Sequence, residues 1–228
     1  MDALLIANRE PVMQVLFVHG MGRSPLSAWP LLLQLRRAGL QTHTFAYSVR
    51  RESFEHIRAQ LASRIATLAA RGDYVLIGHS LGGVLIRAAV SDLLADTRMP
   101  SHVFLLGSPL RPALLAQRLG KNPLYLALTQ DCGQLLGSLT RMSEVGPLSV
   151  PTTGIAGISG PSSKRSPFRG ELNDGVVSLA EVSAAWLTDH ISIPTLHTFL
   201  PASRRVGEII LGRMAHLRAS SLHQETLL

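Results

Sequence analysis

The chain is short of cysteine, of aromatic residues and of charge. Cys132 is the single cysteine in 228 residues, so no disulfide can form within the chain. It stands just before a modest helical stretch, with no partner pattern around it, and reads as a packed residue rather than a reactive one. Histidine and cysteine never occur at metal-ligand spacing such as H-E-x-x-H or C-x-x-C, so no metal is expected. Aromatic residues make up 5% and are not interleaved with basic ones. Positive charge is scattered as single arginines or pairs (Arg36-Arg37, Arg50-Arg51, Arg204-Arg205). With no block of like charges and no stacking residues, nucleic-acid binding is not expected. No apolar run approaches the roughly 18 residues of a membrane span. Residues 1–14 carry Asp2, Arg9, Glu10 and Pro11 in place of a basic start and an apolar core, so they do not read as a signal peptide. A cytoplasmic location is the expectation that follows.

What is present is a globular composition, 46% hydrophobic and 16% charged, of a length suited to one domain. Lys and Arg number 22 against 15 Asp and Glu, a net charge of +7, which favours attraction to anionic surfaces or substrates. Apolar and β-branched runs predict strands at residues 12–18, 42–47, 74–77, 103–106, 152–158 and 191–196. Helical spacing appears between them. Residues 27–38 carry Trp29, Leu32, Leu33 and Leu35 and stop at Gly39; residues 52–70 align Phe54, Ile57, Leu61, Ile65 and Leu68; residues 204–217 form a closing helix. After residue 80 the apolar positions Leu81, Leu85, Ile86, Ala89, Val90, Leu93 and Leu94 mark another helix. Strands alternating with helices imply an α/β fold: a mostly parallel sheet covered on both faces. No internal repeat is visible.

Two glycine motifs stand where chemistry needs them. Gly78-His79-Ser80-Leu81-Gly82 joins a predicted strand to a predicted helix. A serine in such a turn is held in a sharp bend with its hydroxyl clear of the backbone. Gly78 and Gly82, without Cβ atoms, let neighbouring chain pass close. The following helix aims free N–H groups at the same point. Ser80 is therefore the candidate nucleophile; the alternative is a serine that merely caps the helix. The second motif, His19-Gly20-Met21-Gly22, follows the first strand. Acyl transfer through a serine creates an oxyanion that preorganised N–H donors must meet, one from the residue after the nucleophile and one from an early loop. The candidates are the N–H groups of Leu81 and Met21. His19 and His79 lie beside backbone that must be rigid, and so read as residues that orient loops.

The segment Val-Leu-Phe-Val-His-Gly-Met-Gly at 15–22, paired with Gly-His-Ser-Leu-Gly-Gly at 78–83, resembles the α/β-hydrolase fold in its lipase/esterase branch. Leu-Leu-Gly-Ser-Pro-Leu at 105–110 resembles that branch's strand after the nucleophile helix. Asn173-Asp174-Gly175-Val176-Val177 resembles its acid turn, and His197-Thr198-Phe199-Leu200 its base loop. The resemblance covers about residues 13–215. It departs at Leu110, where the branch usually carries a histidine after Gly-Ser-Pro. It implies a serine hydrolase that needs no cofactor.

A serine hydroxyl is too weak an acid to attack unaided. It needs a histidine base, and the histidine needs a carboxylate to fix its tautomer. In this fold the order is serine, acid, histidine, each after a strand. His197 follows the last predicted strand, whereas His190 precedes it, His216 falls in the closing helix and His223 in a polar tail. His197 is the preferred base and His190 the second choice. Among the acids, Asp174 sits in a glycine-containing turn ahead of His197; Asp131 is second, Glu181 is suited to steadying the acid loop and Asn173 to a local hydrogen bond. Residues 110–148 read equally as a helical cap over an acyl pocket or as an ordinary crossover. Residues 159–171 form a polar, basic, Pro/Gly-rich loop expected to be mobile and to rim the entrance. The expected reaction is hydrolysis of a small-molecule or lipid-like acyl ester. A thioesterase or acyltransferase with the same triad is the alternative, and a non-catalytic binding protein on the same scaffold the remote one.

Overall fold

All five residues of β1 (Gln14–Val18) are buried, which leaves no side for solvent and demands a central position in a sheet covered on both faces. The computed structural model, which describes residues 12–225 and side chains as far as 217, places it there. Residues 1–11 of the segment read above as unlike a signal peptide, and the His223 side chain, lie outside what is described. Strands β2 (Gln41–Phe45), β3 (Tyr74–His79), β4 (His102–Leu106), β5 (Thr152–Gly157) and β6 (Asp189–Ile193) complete a six-stranded sheet in the order β2-β1-β3-β4-β5-β6. Every neighbouring pair is parallel. The outer strands β2 and β6 are partly exposed, as edge strands are.

Strand alternation sends consecutive residues to two cores. Val15 and Phe17 face Leu31, Leu32 and Leu35 of α1 (Trp29–Arg37) and Val206, Ile210 and Met214 of α7 (Arg204–Glu225). Leu16 and Val18 face α2 (Phe54–Ala69) and α3 (Leu81–Ser91). The buried stripe of α2 is the one its spacing predicts, and Ser53 caps it by accepting from His56 N. Residues 110–148 carry the chain from β4 to β5 through α4 (Leu114–Leu119), α5 (Pro123–Gly137) and α6 (Leu139–Glu144). Ala116, Cys132, Leu135 and Met142 join the α2–α3 core, while Leu124 and Leu128 are exposed. Burial, then Asp131, pushes the Cys132 thiol up to about 12, consistent with a packed side chain. Gln130 breaks α5 with φ 47° and ψ −138°. No described helix is long and apolar enough to cross a membrane.

Element ends differ from the sequence expectation. β1 begins at Gln14 rather than at residue 12, and β6 runs over Asp189–Ile193 rather than 191–196 because Pro194 offers no N–H to the ladder. α3 ends at Ser91, so Leu94 is exposed. Trp29 lies off the buried face of α1 and is exposed, with the Arg36 guanidinium 5.7 Å from its ring centroid.

Burial of His102, like that of His79, is expected to make the fold acid-sensitive. His102 bonds Thr153 Oγ1 at 2.9 Å; burial, then Arg213, lowers it from 6.5 to about 4. Above pH 6.5 the ring is neutral in both states. Below that, the unfolded chain takes a proton that the folded ring refuses until about pH 4, so stability falls by about 2–3 kcal/mol across the window. His102→Gln is expected to flatten this loss, measured by urea unfolding at a series of pH values; an unchanged slope would assign the acid sensitivity elsewhere.

Candidate active site

A parallel sheet gathers the C-terminal ends of its strands at one edge, and the loops leaving β1, β3, β5 and β6 there carry the candidate residues. Ser80 joins β3 to α3 with φ 54° and ψ −123°. A non-glycine residue with positive φ costs on the order of 1–3 kcal/mol and persists only when its surroundings impose it. Ser80 N donates to Leu106 O at 2.9 Å, and Ser80 O accepts from Gly83 N at 3.0 Å. α3 presses against the end of β1 so tightly that a Cβ on Gly82 would lie 2.2 Å from the Val18 carbonyl oxygen. The turn is thus clamped from both sides. The half-buried Ser80 occupies the N-cap position, yet its side chain makes no capping bond, which removes the capping alternative.

The loop after β1 lies directly against this serine. A Cβ built on Gly20 would stand 3.1 Å from Ser80 Cβ and 2.9 Å from His79 Nδ1. His19 holds the loop: its Nδ1–H donates to Gly20 O at 2.9 Å and its Nε2 accepts from Tyr47 N at 3.4 Å. Tyr47 stacks on the His19 ring at 4.2 Å and donates its hydroxyl to His19 O at 2.8 Å. Met21 follows in the turn, partly buried against the core. Leu81 is the first residue of α3, where a helix leaves its N–H groups without intrahelical acceptors. Nothing at the end of the second strand marks Tyr47 in the sequence; its role comes from the close approach of β2 to β1.

Asp174 and His197 meet across 23 residues of chain. His197 Nδ1 lies 2.6 Å from Asp174 Oδ2, and both residues are buried. Asp174 Oδ1 accepts from Val176 N at 2.9 Å and Val177 N at 2.8 Å, so the carboxylate is aimed by its own turn. Backbone adds His197 N to Asp174 O at 2.9 Å. The carboxylate accepts, so Nδ1 carries the proton and Nε2 keeps its lone pair. Behind the imidazole, His79 Nε2–H donates to the His197 carbonyl at 3.0 Å, with the two rings 4.8 Å apart. Burial, followed by the nearby His197, holds His79 well below the usual imidazole range, so it stays neutral and acts as a post for His197. Among the described residues no hydrogen bond joins Ser80 to His197. In free sites such contacts are often long and tighten on substrate binding.

The competing side chains are engaged elsewhere. Asp131 accepts from Phe54 N at 2.8 Å and pairs with Arg141 at 2.7 Å, on the α2 side of the sheet. His190 lies within β6, with Nε2 3.4 Å from Ser183 Oγ. Glu181 is buried and accepts from Ser178 N at 2.5 Å and from Leu114 N, tying the acid loop to the start of α4. Asn173 Oδ1 accepts from Gly175 N at 2.9 Å, and its amide donates to Pro161 and Glu171 carbonyls. Among the described residues no cluster of His, Cys, Asp and Glu is arranged to hold a metal.

Residues 15–211 match the model of the alpha/beta hydrolase family. The chain belongs to that family. Among solved structures this α/β hydrolase is similar to the lipase BlEst2 of Bacillus licheniformis in its mature form, with 18% identity and a TM-score of 0.68 over 91% of this chain and 93% of that one. It is also similar to the RedJ thioesterase of the prodiginine pathway of Streptomyces coelicolor, with 18% identity and a TM-score of 0.57 over 90% and 86%. The metagenomic carboxyl esterase MGS0156 aligns at 16% identity and a TM-score of 0.66 over 82% of this chain and 65% of that one. No curated protein sequence matches the chain. At such identities the neighbours speak for the fold of this chain alone.

Proposed function

We propose that this α/β hydrolase cleaves carboxylic esters, with lipid-like acyl esters as the substrate class, through an acyl-enzyme on Ser80. The observation that carries the reading is the buried Asp174–His197 hydrogen bond at the same sheet edge as a serine held at φ 54°. Ser80 Oγ attacks the ester carbonyl as His197 Nε2 takes its proton, and Asp174 stabilises the resulting imidazolium. The oxyanion is met by the N–H groups of Met21 and Leu81. The imidazolium returns its proton to the leaving alcohol, leaving an acyl-serine. Water then adds to this ester with His197 again as base, and the carboxylic acid departs as Ser80 recovers its proton. The neighbouring lipase and esterase folds support the ester assignment, and the thioesterase fold keeps thioesters in the assay.

The test is covalent labelling with a fluorophosphonate, followed by peptide mapping, and turnover of paired ester and thioester substrates of graded acyl length. Labelling confined to Ser80, with esters turned over at least as fast as matched thioesters, is the expected result. An unlabelled folded protein would overturn the catalytic reading; faster thioester turnover would keep the triad and replace the substrate class.

A further inference from the structure

The edge of the sheet that carries Ser80 combines two features. It exposes large apolar side chains: Leu26 is 74% exposed, Leu124 67%, Phe199 57%, Leu172 49% and Leu128 46%. These five come from the loops after β1, β4, β5 and β6, all of which leave the C-terminal ends of parallel strands. The loops are knitted into one rim. Arg23 donates to Thr198 Oγ1 at 2.8 Å, Leu110 N to Glu181 O at 2.8 Å, Phe54 N to Asp131 Oδ2 at 2.8 Å, and Ser159 N to Thr195 O at 3.2 Å.

The connections after β4 and β5, and the loop after β2, carry positive charge without acidic partners. Arg50, Arg51, Lys121, Lys164, Arg165 and Arg169 are exposed, and none of them is in an ion pair among the described residues. Arg50, Arg51 and Gln130 border one surface depression. Five carboxylates near these bases are turned to other partners. Glu52 accepts from Ser48 N at 2.8 Å, Glu171 from Ala180 N at 3.0 Å, Glu181 is buried, and Asp131 and Asp174 hold Arg141 and His197.

We propose that this rim docks the enzyme on an anionic lipid surface, with Leu124, Leu128, Leu172 and Phe199 entering the headgroup region and the six bases facing lipid phosphates. Exposed leucines and a phenylalanine alone fit several occupants. Uncompensated Lys and Arg on the connections of the same sheet edge favour a negatively charged apolar phase, to which each base near the surface adds about a fivefold gain in binding. Docking in this orientation sets Ser80 against the membrane, where an acyl ester is concentrated. The inference rests on the ester-hydrolase reading for its purpose, but its binding step needs no turnover.

Sedimentation with vesicles of phosphatidylcholine, or of phosphatidylcholine and phosphatidylglycerol in equal parts, tests it. The protein is expected to bind the anionic vesicles at least tenfold more tightly, and to lose that preference in high salt. Arg50→Glu/Arg51→Glu and Lys164→Glu/Arg165→Glu are each expected to weaken binding at least tenfold, and Leu124→Ser/Leu128→Ser to weaken it at both salt concentrations. Fluorophosphonate labelling of Ser80 should be unchanged in all three, which separates failure of docking from failure of the catalytic reading. Equal affinity for the two vesicle types, or no binding to either, would overturn the proposal. So would self-association that Leu124→Ser/Leu128→Ser abolishes, or capture of an acidic acyl carrier protein in preference to the vesicles.

Discussion

Ser80→Ala is expected to lower kcat for p-nitrophenyl esters by about 10⁶-fold while leaving the protein folded. The substitution removes the oxygen proposed to attack and little else. The backbone bend at φ 54° is imposed by the Leu106 and Gly83 hydrogen bonds and the tight packing of α3 on β1, none of which uses the hydroxyl. Nor does the hydroxyl cap α3, so no helix bond is lost. Alanine and serine bear similar strain at that φ, and the urea midpoint should move little. His197→Ala should cost a comparable factor, and the double variant scarcely more, because a nucleophile without its base and a base without its nucleophile are equally idle. Steady-state rates for the three variants, with urea unfolding as the control, decide the point. Activity within tenfold of the parent in a folded Ser80→Ala protein would place the nucleophile elsewhere.

Asp174→Asn should reduce kcat by about 10⁴-fold with little change in KM. Asp174 Oδ1 is already committed to Val176 N and Val177 N. In the asparagine variant only a carbonyl oxygen can accept those two bonds, so the amide NH₂ must take the place of Oδ2 against His197 Nδ1. An NH₂ donates, and Nδ1 can then only accept. The proton moves to Nε2, and the imidazole presents an N–H to Ser80 where it needs a lone pair. The geometry survives, the tautomer inverts and the base is lost. Nitrogen NMR of the His197 ring should record the inversion alongside the kinetics. A loss smaller than tenfold, or an unchanged tautomer, would transfer the acid role from Asp174 to another group.

Much of this was legible in the chain, and the legible parts share a cause. Strand and helix alternation, the buried stripe of α2 and the sharp turn at Ser80 are local: neighbouring residues and a short period set them. So is the Asp174 turn, because the carboxylate bonds N–H groups two and three residues onward. Where neighbouring chain intruded, local reading slipped. The helical spacing after Ser80 runs past the end of α3 to Leu94, and Trp29 belongs by spacing to an apolar helix but faces solvent with Arg36 across its ring.

The partners of side chains were a different matter. Asp131 and Asp174 are alike as carboxylates, and His190 and His197 as imidazoles; nothing intrinsic to them says which pair will meet. Sheet order settles that, by laying β5 beside β6 so that the turn after one strand closes on the loop after the next. The same holds for His79 on the His197 carbonyl and Tyr47 on His19, contacts made across 118 and 28 residues. A linear pattern encodes periodicity and turn chemistry because these depend on adjacent residues. It does not encode which distant hydrogen-bonding groups are buried together, since that free energy exists only once the strands are in register and water has been excluded between them.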